Sequence, residues 1–246
     1  LAVLFAACVL GGGKRLTNIT GVLVPVMGVL YILVSLVVIF MNIKIFPSVI
    51  ANIFRDAFNF KAAFSGFAGS CIMWGIKRGL FSNEAGMGST PHAHALAKVN
   101  HPREQGAVAI LGVFIDTFVV LTLTGLVLIT SGLIPDGLTG TALTQAAFSQ
   151  AFGGFGPVFI AICMFFFAFS TIIGWYFFGQ SNFKALFGEK ALPVYSVIVV
   201  VFILVGSTLK VDLVWAMADF FNGLMAVPNL LALLALSGVV AAIDKE

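Results

Sequence analysis

Charged side chains are scarce in this sequence, which has Asp, Glu, Lys or Arg at only 9% of its 246 positions. Soluble domains carry about 25% charged residues. A chain this poor in charge and 60% hydrophobic cannot hide its apolar surface in a core of its own. A bilayer accepts such surface if the spanning backbone forms helices or a closed barrel. The apolar runs are continuous rather than alternating, so the sequence predicts an all-α polytopic membrane protein.

Cysteine and clustered basic residues are also in short supply. Cys8, Cys71 and Cys163 stand singly in apolar segments, without the spacing of a metal site or a disulfide framework, which predicts small buried hydrophobes. The net charge is only +3, and Lys and Arg are not clustered in the sequence. The basic surface that a nucleic-acid-binding protein needs is therefore not indicated. The sequence has no HExxH or GxSxG motif, and nothing in it supports an enzyme.

The chain opens inside an apolar stretch, residues 1–10, that is shorter than the roughly 20 residues a spanning helix needs. We therefore expect a fragment whose N-terminal part is missing. A secretory signal is the alternative, but Lys14 and Arg15 follow the apolar run instead of preceding it.

Six later segments are long enough to cross a bilayer, and one of them has a polar centre; they are residues 19–41, 62–97 (the interrupted one), 106–132, 155–178, 191–209 and 213–243. Six crossings place both ends on one side. The positive-inside rule makes that side cytoplasmic, because most basic residues fall there: Lys14, Arg15, Lys98, Arg103, Lys184, Lys190 and Lys245. We thus expect a multi-pass protein of the cell membrane, plasma or inner, with a cytoplasmic C-terminus. Residues 47–61 and 141–152 predict amphipathic helices on the outer surface.

Residues 79–89 form a polar, glycine-rich run inside the second of these segments. Lys77, Arg78, Asn83 and Glu84 lie in or beside it, and ionisable groups at membrane depth normally face the protein interior in pairs, for which Arg78 and Glu84 are candidates. An unwound backbone here would offer free N–H and C=O groups to a zwitterion and a cation. The alternative is a cytoplasmic loop with solvated charges; against it, residues 91–99 are compatible with a continuing helix.

A second set of polar side chains lies in the segment FFFAFSTIIGWY, residues 165–176. The adjacent hydroxyls of Ser170 and Thr171 could supply oxygen ligands to a sodium ion, or they could hydrogen-bond to their own helix or to a neighbouring one. Trp175, four residues after Thr171, shares its helix face and could wall a small pocket. Packing, or a place in an interfacial aromatic belt, would explain it equally well.

Isolated polar residues in the other segments have less definite interpretations. Asp116 should face the bundle, for coupling or for a structural hydrogen bond. Asp219 and Asn222, followed by Gly223 and Pro228, predict another local break. The three histidines are expected to be solvated: His92, His94 and His101.

Several short sequence motifs occur in the same order as in the alanine or glycine:cation symporter family, which this chain therefore resembles. They are GGKR (12–15), VP (24–25), RGLFSNEAGMGS (78–89), HP (101–102), QG (105–106), GVFIDT (112–117), FSTIIGWY (169–176) and PNLL (228–231). The resemblance therefore covers essentially the whole of residues 1–246, which we expect to form a single transmembrane domain.

This resemblance implies the leucine-transporter fold, in which two inverted five-helix repeats hold solute and sodium where the first helix of each repeat is broken. The chain would then cover roughly core helices 5 to 10, with the break in the sixth and Ser170 and Thr171 in the eighth. Five residues of the break would contact or order the solute, together with Trp175: Asn83, Glu84, Ala85, Gly86 and Gly88. Ser170 and Thr171 would bind sodium.

The function implied is sodium-coupled symport of a small neutral amino acid, alanine or glycine, into the cell, with sodium as the coupling ion and no organic cofactor. A proton-coupled amino-acid carrier remains an alternative. An ion channel or a non-transporting membrane protein, in which the polar run lines a pore or simply packs, is another.

Overall fold

The computed structural model describes residues 1–10, 13–58, 66–84, 86–134 and 137–243, and its regular elements there are helical. The helices are α1 (Ala2–Leu10), α2 (Gly13–Met41), α3 (Phe46–Ala57), α4 (Gly66–Ser82), α5 (Pro91–His94), α6 (Pro102–Phe114), α7 (Thr122–Ser131), α8 (Gly140–Phe152), α9 (Phe155–Phe187), α10 (Leu192–Gly206) and α11 (Val211–Ile243). A π-helical stretch, Ile115–Leu121, joins α6 to α7, and the short 3-10 helix Glu189–Ala191 precedes α10. The all-α prediction is confirmed.

Within the described ranges, five helical stretches are long and apolar enough to cross a membrane: Gly21–Met41, Pro102–Ser131, Phe155–Phe187, Glu189–Gly206 and Val211–Ala242. They confirm a multi-pass membrane protein. The remaining predicted segment, residues 62–97, is represented by α4 and the single turn α5. The described residues of this segment contain no continuous helix of spanning length, and residues 62–65 lie outside the described part.

Two sequence-based expectations about helix continuity are wrong. Residues 91–99 were expected to be helical, but α5 ends at His94, because the backbone then tightens into i→i+3 turns at Leu96 and Ala97. A break near Pro228 was expected, but α11 runs through it. A proline removes one donor from the helical ladder, and membrane helices tolerate that loss.

Backbone packing divides the chain into two compact units: unit 1 comprises Leu1, Val3–Gly75 and Ile110–Gly174, and unit 2 comprises Ala2, Ile76–Ala109 and Trp175–Glu246. Unit 1 has an apolar core contributed by α2, α7, α8 and α9, consisting of Tyr31, Val38, Ile39, Val127, Ala147, Phe148, Phe159, Ile160 and Cys163. The Tyr31 hydroxyl lies 2.8 Å from the Thr124 hydroxyl, which satisfies the polar end of that ring.

The two predicted amphipathic helices correspond to α3 and α8 of unit 1. The apolar face of α8 is buried, with Leu143, Ala147 and Phe148 all below 9% exposed. Asp116 lies in the π-helical stretch and is half-buried. Single π-helical turns inside long helices are rare and often accompany functional sites.

Few side chains are buried in the described part of unit 2. Met87, Ser89 and Tyr176 are the ones below 9% exposed. The Tyr176 ring stacks on Tyr195 at 5.4 Å between centroids, and its hydroxyl lies 2.8 Å from the Ser196 hydroxyl. These contacts join the second half of α9 to α10.

Candidate functional site

The helix α4 ends in a tight turn that starts the break. The backbone N–H of Asn83 still donates to the Gly79 carbonyl at 3.1 Å, but the N–H of Glu84 donates to the Phe81 carbonyl, three residues back, at 3.2 Å. Helical geometry therefore persists through Ser82. The break therefore starts at Asn83, the first of the residues of the polar run that were expected to order the solute.

Three residues of the break have left-handed backbone conformations. Glu84 has φ +51°, and Gly86 and Gly88 both have φ +78°. Glycine adopts such angles without a steric penalty, whereas Glu84 is the only non-glycine residue with positive φ in the described part of the chain. Conformations of this kind persist only where surrounding contacts enforce them, and they cluster at functional sites.

The carboxylate of Glu84 supplies one of those contacts. The Ser89 hydroxyl donates to Oε2 of Glu84 at 2.5 Å, and the Thr90 hydroxyl donates to the same oxygen at 3.4 Å. Ser89 is only 1% exposed, so this pairing satisfies a buried hydroxyl. The two bonds close the loop from Glu84 to Thr90 on itself.

Some main-chain polar groups of the break have hydrogen-bond partners among the described residues, and others do not. The Gly86 carbonyl accepts from Nδ2 of Asn229 at 3.0 Å, and the Met87 N–H donates to the Glu84 carbonyl at 3.3 Å. The N–H groups of Gly88 and Ser89 have no hydrogen-bond partner among the described residues. Two adjacent main-chain donors that no described residue occupies are a suitable site for a carboxylate.

A cavity of about 530 Å³ lies in unit 2 beside these donors. Its size is within the range of small-molecule sites. It is lined by Met87, Gly88, Ser89, His92, Trp175, Phe178, Gly179, Asn182, Tyr195, Met225, Pro228 and Asn229. The structure therefore brings Gly88 and Trp175, two of the predicted site residues, to one cavity.

His92 and Asn182 form a polar contact in the wall of this cavity. Nε2 of His92 lies 3.1 Å from Nδ2 of Asn182, and the imidazole lies 6.2 Å from the Phe178 ring centroid. His94 likewise pairs with Gln105 at 2.5 Å. His92 and His94, which were expected to be solvated, are both half-exposed and each also has a side-chain hydrogen-bond partner.

Ten of the twelve cavity residues were not among the predicted site residues, and besides Ser89 four of these ten have polar side chains: His92, Asn182, Tyr195 and Asn229. His92 follows the recognised polar run by three residues, and Asn229 lies in the PNLL word, so both gave some signal. Asn182 and Tyr195 lie in ordinary apolar helices and gave none.

Two charged residues that precede the break, Lys77 and Arg78, form a separate cluster with Asp219 of α11. Nζ of Lys77 lies 2.6 Å from Oδ2 of Asp219, and Nη1 of Arg78 lies 3.3 Å from Oδ1. The Arg78 guanidinium also lies 4.1 Å from the centroid of the Trp215 ring, which Phe81 meets edge-on at 5.7 Å. The sequence suggested Glu84 as the ion-pair partner of Arg78. In the structure Asp219 pairs with both Lys77 and Arg78.

Three predicted site residues remain to be placed: Ser170, Thr171 and Ala85. Ser170 and Thr171 belong to unit 1. The Ser170 hydroxyl donates to the Phe167 carbonyl of its own helix at 3.0 Å, which leaves its oxygen lone pairs available as ligands, and Thr171 is exposed. Ala85 lies outside the described residues.

A membrane-spanning helical protein with an interrupted helix beside a solute-sized cavity has features that many secondary transporters share. More specifically, this chain belongs to the Sodium:alanine symporter family, whose sequence profile matches residues 1–246. That family consists of transporters and not of enzymes. The membership predicted from the sequence words is confirmed.

Individual relatives are similar over the same stretch. The chain is 46% identical over 250 residues to the sodium/alanine symporter AgcS of Methanococcus maripaludis, covering 100% of this chain and 55% of that protein. It is 43% identical over 248 residues to the probable sodium/glutamine symporter GlnT of Bacillus subtilis, covering 100% and 52%. It is 37% identical over 247 residues to a sodium/proton-dependent alanine carrier protein of Bacillus sp. strain PS3, covering 93% and 56%. The chain thus spans about half the length of these relatives.

Proposed function

We propose that this chain serves sodium-coupled symport of a small neutral amino acid, alanine or glycine, into the cell. The observation that carries the proposal is that Gly88 and Ser89, whose N–H groups have no hydrogen-bond partner among the described residues, both line the unit 2 cavity. Every α-amino acid has a carboxylate that two adjacent donors can bind. The family membership supports an amino-acid cargo.

The proposal assigns a role to each predicted site residue. Asn83 and Glu84 order the break, and Gly86 and Gly88 allow its left-handed turns; Ala85 is assigned to the solute by the family resemblance. Trp175 limits the length of the side chain that fits. The apolar surroundings, which include Phe178 and Met225, favour an uncharged side chain.

Sodium binding is assigned to Ser170 and Thr171, whose hydroxyl oxygens are hard ligands suited to an alkali cation. The fold proposed with this function is the inverted-repeat fold of the leucine transporter, of which residues 1–246 would be core helices 5 to 10. The C-terminus would be cytoplasmic, as the distribution of Lys and Arg favours. Opening of the bundle to one side and then to the other would release both solutes inward.

The test uses the whole natural protein carrying this sequence, purified and reconstituted in liposomes. We expect an inward sodium gradient to drive radiolabelled alanine above its equilibrium level, and choline in place of sodium to abolish accumulation. Accumulation driven by a proton gradient alone would establish the proton-coupled alternative. Entry that neither gradient accelerates and that does not saturate would indicate a channel.

The sodium assignment has its own test in Thr171→Ala, with Thr171→Ser as the control that keeps the hydroxyl. Loss of one oxygen ligand should raise the sodium concentration for half-maximal uptake about ten-fold, the equivalent of about 1.4 kcal/mol. Thr171→Ser should remain close to wild type. Unchanged sodium dependence in Thr171→Ala would remove the assignment.

A further inference from the structure

The side chain of Asn229 contacts both left-handed glycines of the break. Its Nδ2 donates to the Gly86 carbonyl at 3.0 Å. It also packs on Gly88: a Cβ added there would lie 2.9 Å from Oδ1 of Asn229, 3.0 Å from Cγ and 3.1 Å from Cβ. One side chain of α11 thus fixes the backbone on both sides of Met87.

The contact with Gly86 satisfies a carbonyl that the break removes from the helical ladder. An unpaired main-chain carbonyl in apolar surroundings is costly, and Asn229 supplies a neutral donor from another helix. The contact with Gly88 requires glycine twice, because of the φ of +78° and because of the closeness of Asn229. Hydrogen bond and packing therefore specify one conformation of residues 86–88.

The same side chain lines the cavity with Gly88 and Ser89. It occupies an acceptor of the break, the Gly86 carbonyl, and leaves the Gly88 and Ser89 donors without a partner among the described residues. Glu84 holds the far end of the loop through Ser89 and Thr90. The break is consequently held at two points, one internal and one supplied by α11.

We propose that Asn229 is a positioning residue, which holds the Gly88 and Ser89 donors in the geometry that binds the carboxylate of the cargo. This inference rests on the proposed function for the identity of the cargo. It adds α11 to the elements that build the site, although this helix is itself continuous.

Asn229→Asp and Asn229→Ala test the inference. An ionised aspartate places an acceptor against the Gly86 carbonyl, and alanine removes both the bond and the packing. Each should raise the KM for alanine by at least about ten-fold, as small displacements of binding groups do, while the maximal rate falls less. Asn222→Ala, two turns earlier on the same helix, is the matched control and should keep the wild-type KM.

Hydrogen–deuterium exchange of peptides covering residues 83–94 gives a second readout that does not depend on transport. Both Asn229 variants should exchange faster there than wild type and Asn222→Ala, with the remaining peptides unchanged. Exchange equal to wild type in Asn229→Ala would overturn the positioning role, as would an unchanged KM. A wild-type protein that accumulates no alanine would instead overturn the proposed function, and the exchange experiment would still decide the role of Asn229.

Discussion

Unit 1 and unit 2 differ in what they bury. Unit 1 gathers aromatic and aliphatic side chains from four helices into one core, whereas the few buried residues in the described part of unit 2 include Met87 and Ser89 of the break. Tight apolar packing transmits strain and resists rearrangement. Glycine-rich backbone held by single hydrogen bonds can bind a solute and still change conformation. The comparison predicts that damage to unit 1 lowers stability and damage to unit 2 lowers recognition.

The largest effect is expected at Gly88. Gly88→Ala introduces a Cβ close to Asn229 at a φ of +78°, so the break must shift, and alanine uptake should fall about a hundred-fold. Gly79→Ala is the control, since a Cβ there meets nothing within 4 Å. Uptake and melting temperature measured together separate the two kinds of damage. A Gly88→Ala protein with normal uptake would refute the importance of the break geometry.

Phe148→Ala tests the other side of the comparison. Phe148 is fully buried in the core of unit 1, and truncation of a buried phenylalanine costs about 3 kcal/mol or more. We expect a markedly lower melting temperature in detergent and an unchanged KM for alanine in the protein that remains folded. Phe40→Ala, at a position 66% exposed, should be neutral. A changed KM with normal stability in Phe148→Ala would contradict the prediction that damage to unit 1 lowers stability and not recognition.

The charged cluster of unit 2 is expected to act on stability despite its position near the break. Asp219→Asn leaves Lys77 and Arg78 without their shared carboxylate, and the melting temperature should fall by about 5 °C, since both cations are partly solvated. The double variant Lys77→Met/Asp219→Leu replaces one ion pair with apolar side chains, and its melting temperature should lie between those of Asp219→Asn and wild type. If Asp219→Asn melts like wild type but has an altered KM, the cluster belongs to the binding site.

The smallest effect is expected from His92→Ala. Loss of one hydrogen bond to Asn182 should change the KM for alanine only about three-fold, without a change in stability. His101→Ala serves as the control because His101 is outside the cavity lining. Competition assays with longer amino acids measure whether the cavity widens. No change with any cargo would remove His92 from the site.

The sequence predicted the class of fold and the main interruption because both depend on local composition. Long apolar runs need helical backbone in a bilayer, and glycines beside Asn83 and Glu84 interrupt one of them. The carbonyl that the Glu84 N–H reaches, that of Phe81, could not be predicted, because it depends on the path of the chain after Ser82.

Long-range pairings were beyond the sequence alone. Asn229 bonds to Gly86 across 143 positions, and Asp219 pairs with Lys77 and Arg78 from the same helix. A polar residue in an apolar helix predicts some internal partner but not which one. The expected break at Pro228 was wrong for the same reason, since composition does not reveal how neighbouring groups compensate for a missing donor.

The central claim is that the main-chain donors of the break bind the carboxylate of the cargo. Solid-state NMR can measure the distance from the carboxyl carbon of labelled alanine to the backbone nitrogens of labelled glycine and serine in the reconstituted protein. We predict contacts of about 4 Å, as hydrogen bonding requires, assigned to Gly88 and Ser89 and weakened in Asn229→Ala. Bound alanine whose carboxyl carbon lies near neither nitrogen would contradict the account.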